Sequence, residues 1–159
     1  MQKALADLGI TDLRYREISS LSGGQKQKVA IAALLALEPE IMVLDEPTGE
    51  LDPESSIEIF ELLQKLNREK GITIVIVEQK IMLLCAYVKR LLVLDKGDLK
   101  FSGEPREGVA DIKMFKALGI NVPPVAELSD RMRDAGLYTG DVAMTVPEAA
   151  EMVKEVLAE

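Results

Sequence analysis

A chain of 159 residues, 48% hydrophobic and 29% charged, has the composition of a globular protein and the length for a core, which excludes a peptide hormone, a collagen and a disordered segment. Its 19 basic side chains against 27 acidic ones leave a formal charge of −8, which repels a phosphate backbone and argues against nucleic acid as a partner. One cysteine, Cys85, and no histidine exclude an intramolecular disulfide and an ordinary zinc site, and fit a reducing compartment.

Met1 is not followed by the basic start and long apolar run of a leader. The runs Ile72 to Val77 and Leu91 to Leu94 are far too short for a bilayer, so the chain reads as soluble. In chain order, residues 2–8 predict a short helix closed by Gly9, followed by the polar connector TDLRYRE. Ser22 and Gln25 have capping-box spacing. Behind them Val29, Ala30, Ala33, Leu34 and Leu37 recur at helical spacing until Pro39, which predicts a helix that ends there. Ile41 to Leu44 is a short apolar run suited to a buried strand, and it delivers Asp45 and Glu46 at its carboxyl end. Asp52 and Pro53 start a second helix, with Ile59, Leu62, Leu63 and Leu66 on one face and Gly71 as its end.

The β-branched run Ile72 to Val77 lacks polar alternation, which predicts a parallel strand covered on both faces, with Glu78 and Gln79 at its end. An apolar helix over 81–87 is followed by a hairpin: Leu91 to Leu94, the turn Asp95-Lys96-Gly97-Asp98, and Leu99 to Phe101. Strand and helix alternate, so the fold class is α/β. Beyond Gly103, Glu104-Pro105 and Pro123-Pro124 punctuate short helices near 109–118 and 125–135. A capping box at Thr145 and Glu148 precedes a last helix carrying Ala149, Met152, Val153, Val156 and Leu157.

Chemistry concentrates at three places. Glycines at a helix start leave outward N–H groups in the positive end of the helix dipole, so Ser22-Gly23-Gly24-Gln25 suits an anion such as phosphate; alone, it is a helix cap. Asp45 and Glu46 at a buried strand end can hold a magnesium ion and orient a water, though an acidic pair by itself is common. Gln79 ends the next parallel strand and so faces the same crevice, or is a plain loop amide.

Taken together, LSGGQ (21–25), IMVLDE (41–46), GELD (49–52) and VEQ (77–79) resemble the second half of an ATP-binding-cassette ATPase: signature motif, Walker B strand, D-loop and switch loop. The resemblance covers about residues 17–105. It implies a partial P-loop NTPase parallel sheet, with Ser22, Gly23, Gly24 and Gln25 contacting the γ-phosphate of ATP bound to the opposite subunit of a head-to-tail dimer. It also implies that Asp45 holds Mg²⁺ through water, that Glu46 polarises the attacking water, and that Asp52 communicates across the dimer. Where the family usually has histidine this sequence has Gln79, whose amide donates a hydrogen bond but does not titrate near neutral pH, so slow or partner-governed hydrolysis is expected.

No G-x-x-x-x-G-K-[S/T] phosphate loop occurs in the sequence, and neither does the family's glutamine loop. The sheet is therefore expected to lack the Walker A strand and to expose apolar edge and face, with self-association a consequence. The isolated chain is predicted to bind ATP very weakly and to be inactive. A helix that begins abruptly at residue 2, inside what the resemblance makes the helical subdomain, favours truncation.

The stretch LGINVPPVAEL (118–128) and the later TVPEAA (145–150) resemble the carboxyl-terminal region of energy-coupling-factor ATPases, which drive uptake of vitamins or of cobalt and nickel. The domains implied are 1–105, the carboxyl-terminal part of the ATPase domain, and 106–159, a small helical appendage that helps hold two ATPase subunits together. Partners implied are a second ATPase subunit and membrane-embedded transporter subunits, on the inner face of the cell membrane. Two alternatives stand beside this reading: a naturally shortened, non-catalytic subunit that lends its LSGGQ surface to an intact partner, and a nucleic-acid-handling cassette, which the acidic charge disfavours.

Overall fold

Pro39 and Gly71 interrupt the helical pattern, and each is followed by a strand, so the first half of the molecule is a strand–helix–strand crossover. The computed structural model describes residues 2–158. The chain divides into two compact units, residues 1–79 and 80–159.

In the first unit, α1 (Gln2–Asp7) ends at Gly9, whose φ of 67° is left-handed. Two short 3₁₀ turns, Thr11–Leu13 and Ile18–Ser20, occupy the polar connector. Then come α2 (Gly23–Leu35), β1 (Ile41–Asp45), α3 (Pro53–Lys70) and β2 (Thr73–Val77). The strands are parallel, in a register that places Ile41 opposite Thr73 and Asp45 opposite Val77. A parallel pair needs a long crossover, which α3 supplies. Met42 and Leu44 point from the sheet into a core made with Ile31, Ala32, Leu35, Ile59, Leu63, Leu66 and Ile72, and Ile74 and Ile76 pack against it.

One sequence expectation is corrected here. The β2 run is covered on one face only: Ile41 (62% exposed), Val43 (65%), Val75 (43%) and Val77 (56%) line an open face of the sheet. The β-branched run encodes a strand suited to cover on both sides, and the described residues supply a layer for one. The apolar face that the sequence led one to expect is exposed in the sheet. In α2 the buried positions are Ile31, Ala32 and Leu35, whereas Ala30, Ala33, Leu34 and Leu37 are exposed. The segment from Val29 to Leu35 is apolar all the way round, so its periodicity does not select a face.

The second unit holds α4 (Ile81–Tyr87), then β3 (Leu91–Asp95) and β4 (Asp98–Gly103) as an antiparallel hairpin. Lys96 and Gly97, with φ of 50° and 89°, both adopt the left-handed backbone that the favoured two-residue hairpin turn requires. Four helices follow: α5 (Pro105–Ala110), α6 (Ile112–Ala117), α7 (Pro124–Asp134) and α8 (Val146–Ala158). Val109, Ile112 and Phe115 are buried, and Ala143, Ala149 and Met152 form a small core around α7 and α8. Glu148 donates its N–H to Thr145 Oγ1 at 3.3 Å, one half of the capping box read from the sequence, while its side chain accepts the Met144 N–H at 2.9 Å in place of the Thr145 N–H that a reciprocal box would use. Among the described residues no helix is long and apolar enough to cross a membrane.

Candidate functional site

The residues singled out in the sequence lie in the first unit, at the start of α2 and at the carboxyl ends of β1 and β2. Ser22 has extended backbone and caps α2. Its Oγ accepts the Gln25 N–H at 3.3 Å, and its own N–H donates to Gln25 Oε1 at 3.1 Å. In this box both side chains act only as acceptors, so the Ser22 hydroxyl proton and the Gln25 Nε2 protons stay available to donate. By helix geometry the N–H groups of Gly23 and Gly24 have no partner within the helix, so the turn presents donors and positive potential together.

The two glycines also have a packing reason. A side chain at Gly23 would meet Leu51 Cδ2 at 3.1 Å, and one at Gly24 would meet Ser55 Oγ at 3.2 Å, so their small size lets the start of α2 lie close against the start of α3. Asp52 caps that second start. Its Oδ1 accepts the Ser55 N–H at 2.9 Å and its Oδ2 the Ser55 hydroxyl at 2.6 Å. The Ser55 hydroxyl, and then the Ser55 N–H, hold the Asp52 carboxyl below the ordinary aspartate range.

Parallel register governs the strand ends. Glu46 extends the ladder by one residue, its N–H donating to the Val77 carbonyl at 2.8 Å. Its φ of 44° is left-handed, a conformation that costs a non-glycine residue about 1–2 kcal/mol and here turns the chain sharply after β1. The turn closes with the Gly49 N–H on the Glu46 carbonyl at 3.1 Å. Across the sheet end, Gln79 Nε2 donates to Glu46 Oε1 at 2.5 Å, joining residues 33 positions apart. Asp45 is exposed beside them. The register therefore brings Asp45, Glu46 and Gln79 together.

Two residues without a predicted role belong to the same cluster. Thr48 is fully buried, and its hydroxyl donates to Glu78 Oε1. Glu78 Oε2 accepts the Gln79 N–H at 2.8 Å. Their signal in the sequence was faint: a hydroxyl in the short turn after one strand and a carboxylate at the end of the next.

The donor set can be tested against magnesium. Among the described residues no group of three or more carboxylates or thiols is arranged to hold a metal ion. Magnesium, however, keeps several waters and takes one or two carboxylates plus substrate phosphates, so a single exposed Asp45 fits an ion that arrives with its nucleotide.

Known proteins fit this geometry. The ABC transporter family profile matches residues 1–49. The energy-coupling factor transporter ATP-binding protein of Caldanaerobacter subterraneus is 35% identical over 153 residues, covering 96% of this chain and 55% of that protein. Among solved structures, cbiO1 from Clostridium perfringens, part of the ABC transporter complex cbiONQ, aligns with a TM-score of 0.67 and 35% identity, covering 81% of this chain and 51% of that one. A bacterial ABC transporter cassette solved as a dimer aligns with a TM-score of 0.55 and 38% identity, covering 66% of this chain and 47% of that one. The chain thus spans about half the length of the relatives it matches. Their fold is the α/β cassette of which the parallel pair β1–β2 is a portion. Over nearly its whole length the chain is similar to ATP-binding-cassette ATPases of the energy-coupling-factor type, of which it spans about half.

Proposed function

We propose that the chain forms part of the ATP-hydrolysing subunit of an energy-coupling-factor importer for a vitamin or metal ion. Residues 1–105 would contribute the signature, Walker B, D-loop and switch elements, and 106–159 a helical region at the subunit contact. The observation that carries this is the Glu46–Gln79 hydrogen bond across the ends of adjacent parallel strands, with Asp45 beside it. Isolated acidic pairs are common; one placed against a switch-position amide, in a chain that also presents a glycine-rich helix start, is not.

Magnesium bound with ATP would neutralise charge developing on the phosphates, and Asp45 would hold it through water. Glu46 would orient and polarise the attacking water. Gln79 would hold the Glu46 carboxylate and donate toward the γ-phosphate. Ser22, Gly23, Gly24 and Gln25 would donate to the γ-phosphate of ATP seated on a second subunit, and Asp52 would sit at the boundary between the two. The second ATPase subunit and the membrane-embedded subunits are the partners, which places the complex at the inner face of the cell membrane. One specific feature favours the non-catalytic alternative: at Gln79 a non-titrating amide stands where the family usually has imidazole.

The decisive test uses the product of the complete reading frame that contains these codons. Glu46→Gln there should slow ATP turnover by orders of magnitude and leave ATP binding intact. Unchanged turnover removes Glu46 from the role. An unaltered product that does not turn over ATP, but activates an intact cassette when mixed with it, favours the alternative. The 159-residue chain alone, which has no phosphate loop, should not saturate with MgATP at micromolar concentration.

A further inference from the structure

We propose that Thr48 and Glu78 are positioning residues, which aim the Gln79 side chain at Glu46 by tying the turn after β1 to the loop after β2. The proposal rests on the roles given above to Glu46 and Gln79, and adds the device that sets their geometry.

Gln79 is exposed, and a long side chain in solvent loses rotamer freedom when it is held in one direction. Holding it requires that the backbone it springs from be fixed. The Glu78 carboxylate does this with both oxygens. Oε2 accepts the Gln79 N–H at 2.8 Å and so fixes the peptide that carries the switch side chain. Oε1 accepts the hydroxyl of Thr48, which is fully buried and therefore cannot move with the surface. A buried hydroxyl without a bond is costly, and a bond to a carboxylate is stronger than one between neutral groups.

Glu46 is held independently. Its N–H is on the Val77 carbonyl at 2.8 Å, and its carbonyl closes the turn that contains Thr48 through the Gly49 N–H at 3.1 Å. The hydrogen bonds form a ring: Glu46 to the turn, the turn to Thr48, Thr48 to Glu78, Glu78 to Gln79, and Gln79 back to Glu46. Thr48 and Glu78 act through their neighbours, so their loss should change the rate of the chemical step more than the affinity for nucleotide.

The test has two readouts. The first is nuclear magnetic resonance of the Gln79 side-chain amide in the ¹⁵N-labelled 159-residue chain, which needs no ATP. Unaltered chain should show this amide held, with slowed exchange. Thr48→Val and Glu78→Ala should each release it to the averaged behaviour of a free glutamine, and Thr48→Ser should restore it. Glu78 is only partly buried, so Glu78→Ala leaves the core packed even if Thr48→Val disturbs it. Glu78→Gln removes the charge but can keep both links, its amide oxygen accepting the Gln79 N–H and its amide nitrogen donating to the Thr48 hydroxyl, so the Gln79 amide should stay held.

The second readout is turnover by the complete reading-frame product. Thr48→Val and Glu78→Ala should lower kcat by about ten- to a hundredfold, with KM for MgATP held and with Thr48→Ser recovering most of the loss. A Gln79 amide that stays held in both variants overturns the proposal. So does a released amide with unchanged kcat. If the unaltered product shows no turnover, the hydrolysis reading fails, and the tie is decided by the resonance experiment alone.

Discussion

Asp52 shows how one side chain can serve a helix and carry a charge in solvent. Both its oxygens are engaged by Ser55, one by the N–H and one by the hydroxyl, so the ionised form is favoured in the folded chain. Its carboxyl titrates below the ordinary value of 3.8, with the Ser55 hydroxyl as the main cause. Because the folded value is the lower one, the contribution is complete above the unfolded value and is lost as pH falls through the folded one. Stability should therefore fall on acidification below about pH 4. Asp52→Asn, which can still cap the helix, should make that acid limb shallower, leaving the part that the lowered Glu148 carboxyl contributes, with the neutral-pH stability near the original. Urea midpoints recorded from about pH 2 to 6 check this, and an unchanged limb in the variant would remove Asp52 as its source. The cap was legible in the sequence, because Asp-Pro before a helical pattern is a local signal; the Ser22–Gln25 box was legible for the same reason. Thr48 and Glu78 were not. Their meeting depends on the register of β1 against β2, and no short window of sequence contains both partners.

At the scale of elements, α2 separates what sequence encodes from what only packing decides. Its existence and its start follow from the capping box and from the length of the apolar segment. Its inward face does not, because Val29 to Leu35 contains no polar residue to mark the outside. The choice is made by the neighbours: Gly23 and Gly24 bring the start of α2 against Leu51 and Ser55, and that approach directs Ile31, Ala32 and Leu35 to the core. Paired substitutions show the difference. Ile31→Ala, at a side chain with 0% exposure, should cost about 2–5 kcal/mol through lost burial and a cavity, whereas Leu34→Ala, at 39% exposure, should cost well under that. Chemical denaturation of both variants measures it. Equal losses would mean that α2 buries a different face in solution. The hairpin β3–β4 lies at the opposite extreme. Lys96-Gly97 demands a left-handed turn, and sequence alone predicted both the turn and its flanking strands.

For the molecule as a whole, the determining feature is a parallel sheet of two strands, packed on one side and open on the other. An uninterrupted β-branched run states what environment a strand is built for, but not whether the covering layer is in the same chain; this is why β2 read as doubly covered and is not. Fully burying a Val or Ile side chain stabilises by about 1.5–3 kcal/mol, so Ile41, Val43, Val75 and Val77 together offer several kcal/mol to whatever covers them. The 159-residue chain alone should therefore self-associate as its concentration rises. Two routes lead there, and they respond differently to substitution. Face-to-face association depends on the open side chains; edge-to-edge pairing depends on the unpaired backbone of β1 and β2. Val43→Thr combined with Val75→Thr keeps β-branching and strand propensity but places a hydroxyl on each side of the open face, where solvent satisfies it. If the face drives association, light scattering across a concentration series should show the double variant staying smaller than the unaltered chain, at an unchanged urea midpoint. Association that persists undiminished would assign it to the strand edges, and the corresponding remedy would be a charged residue or a proline along β1 or β2.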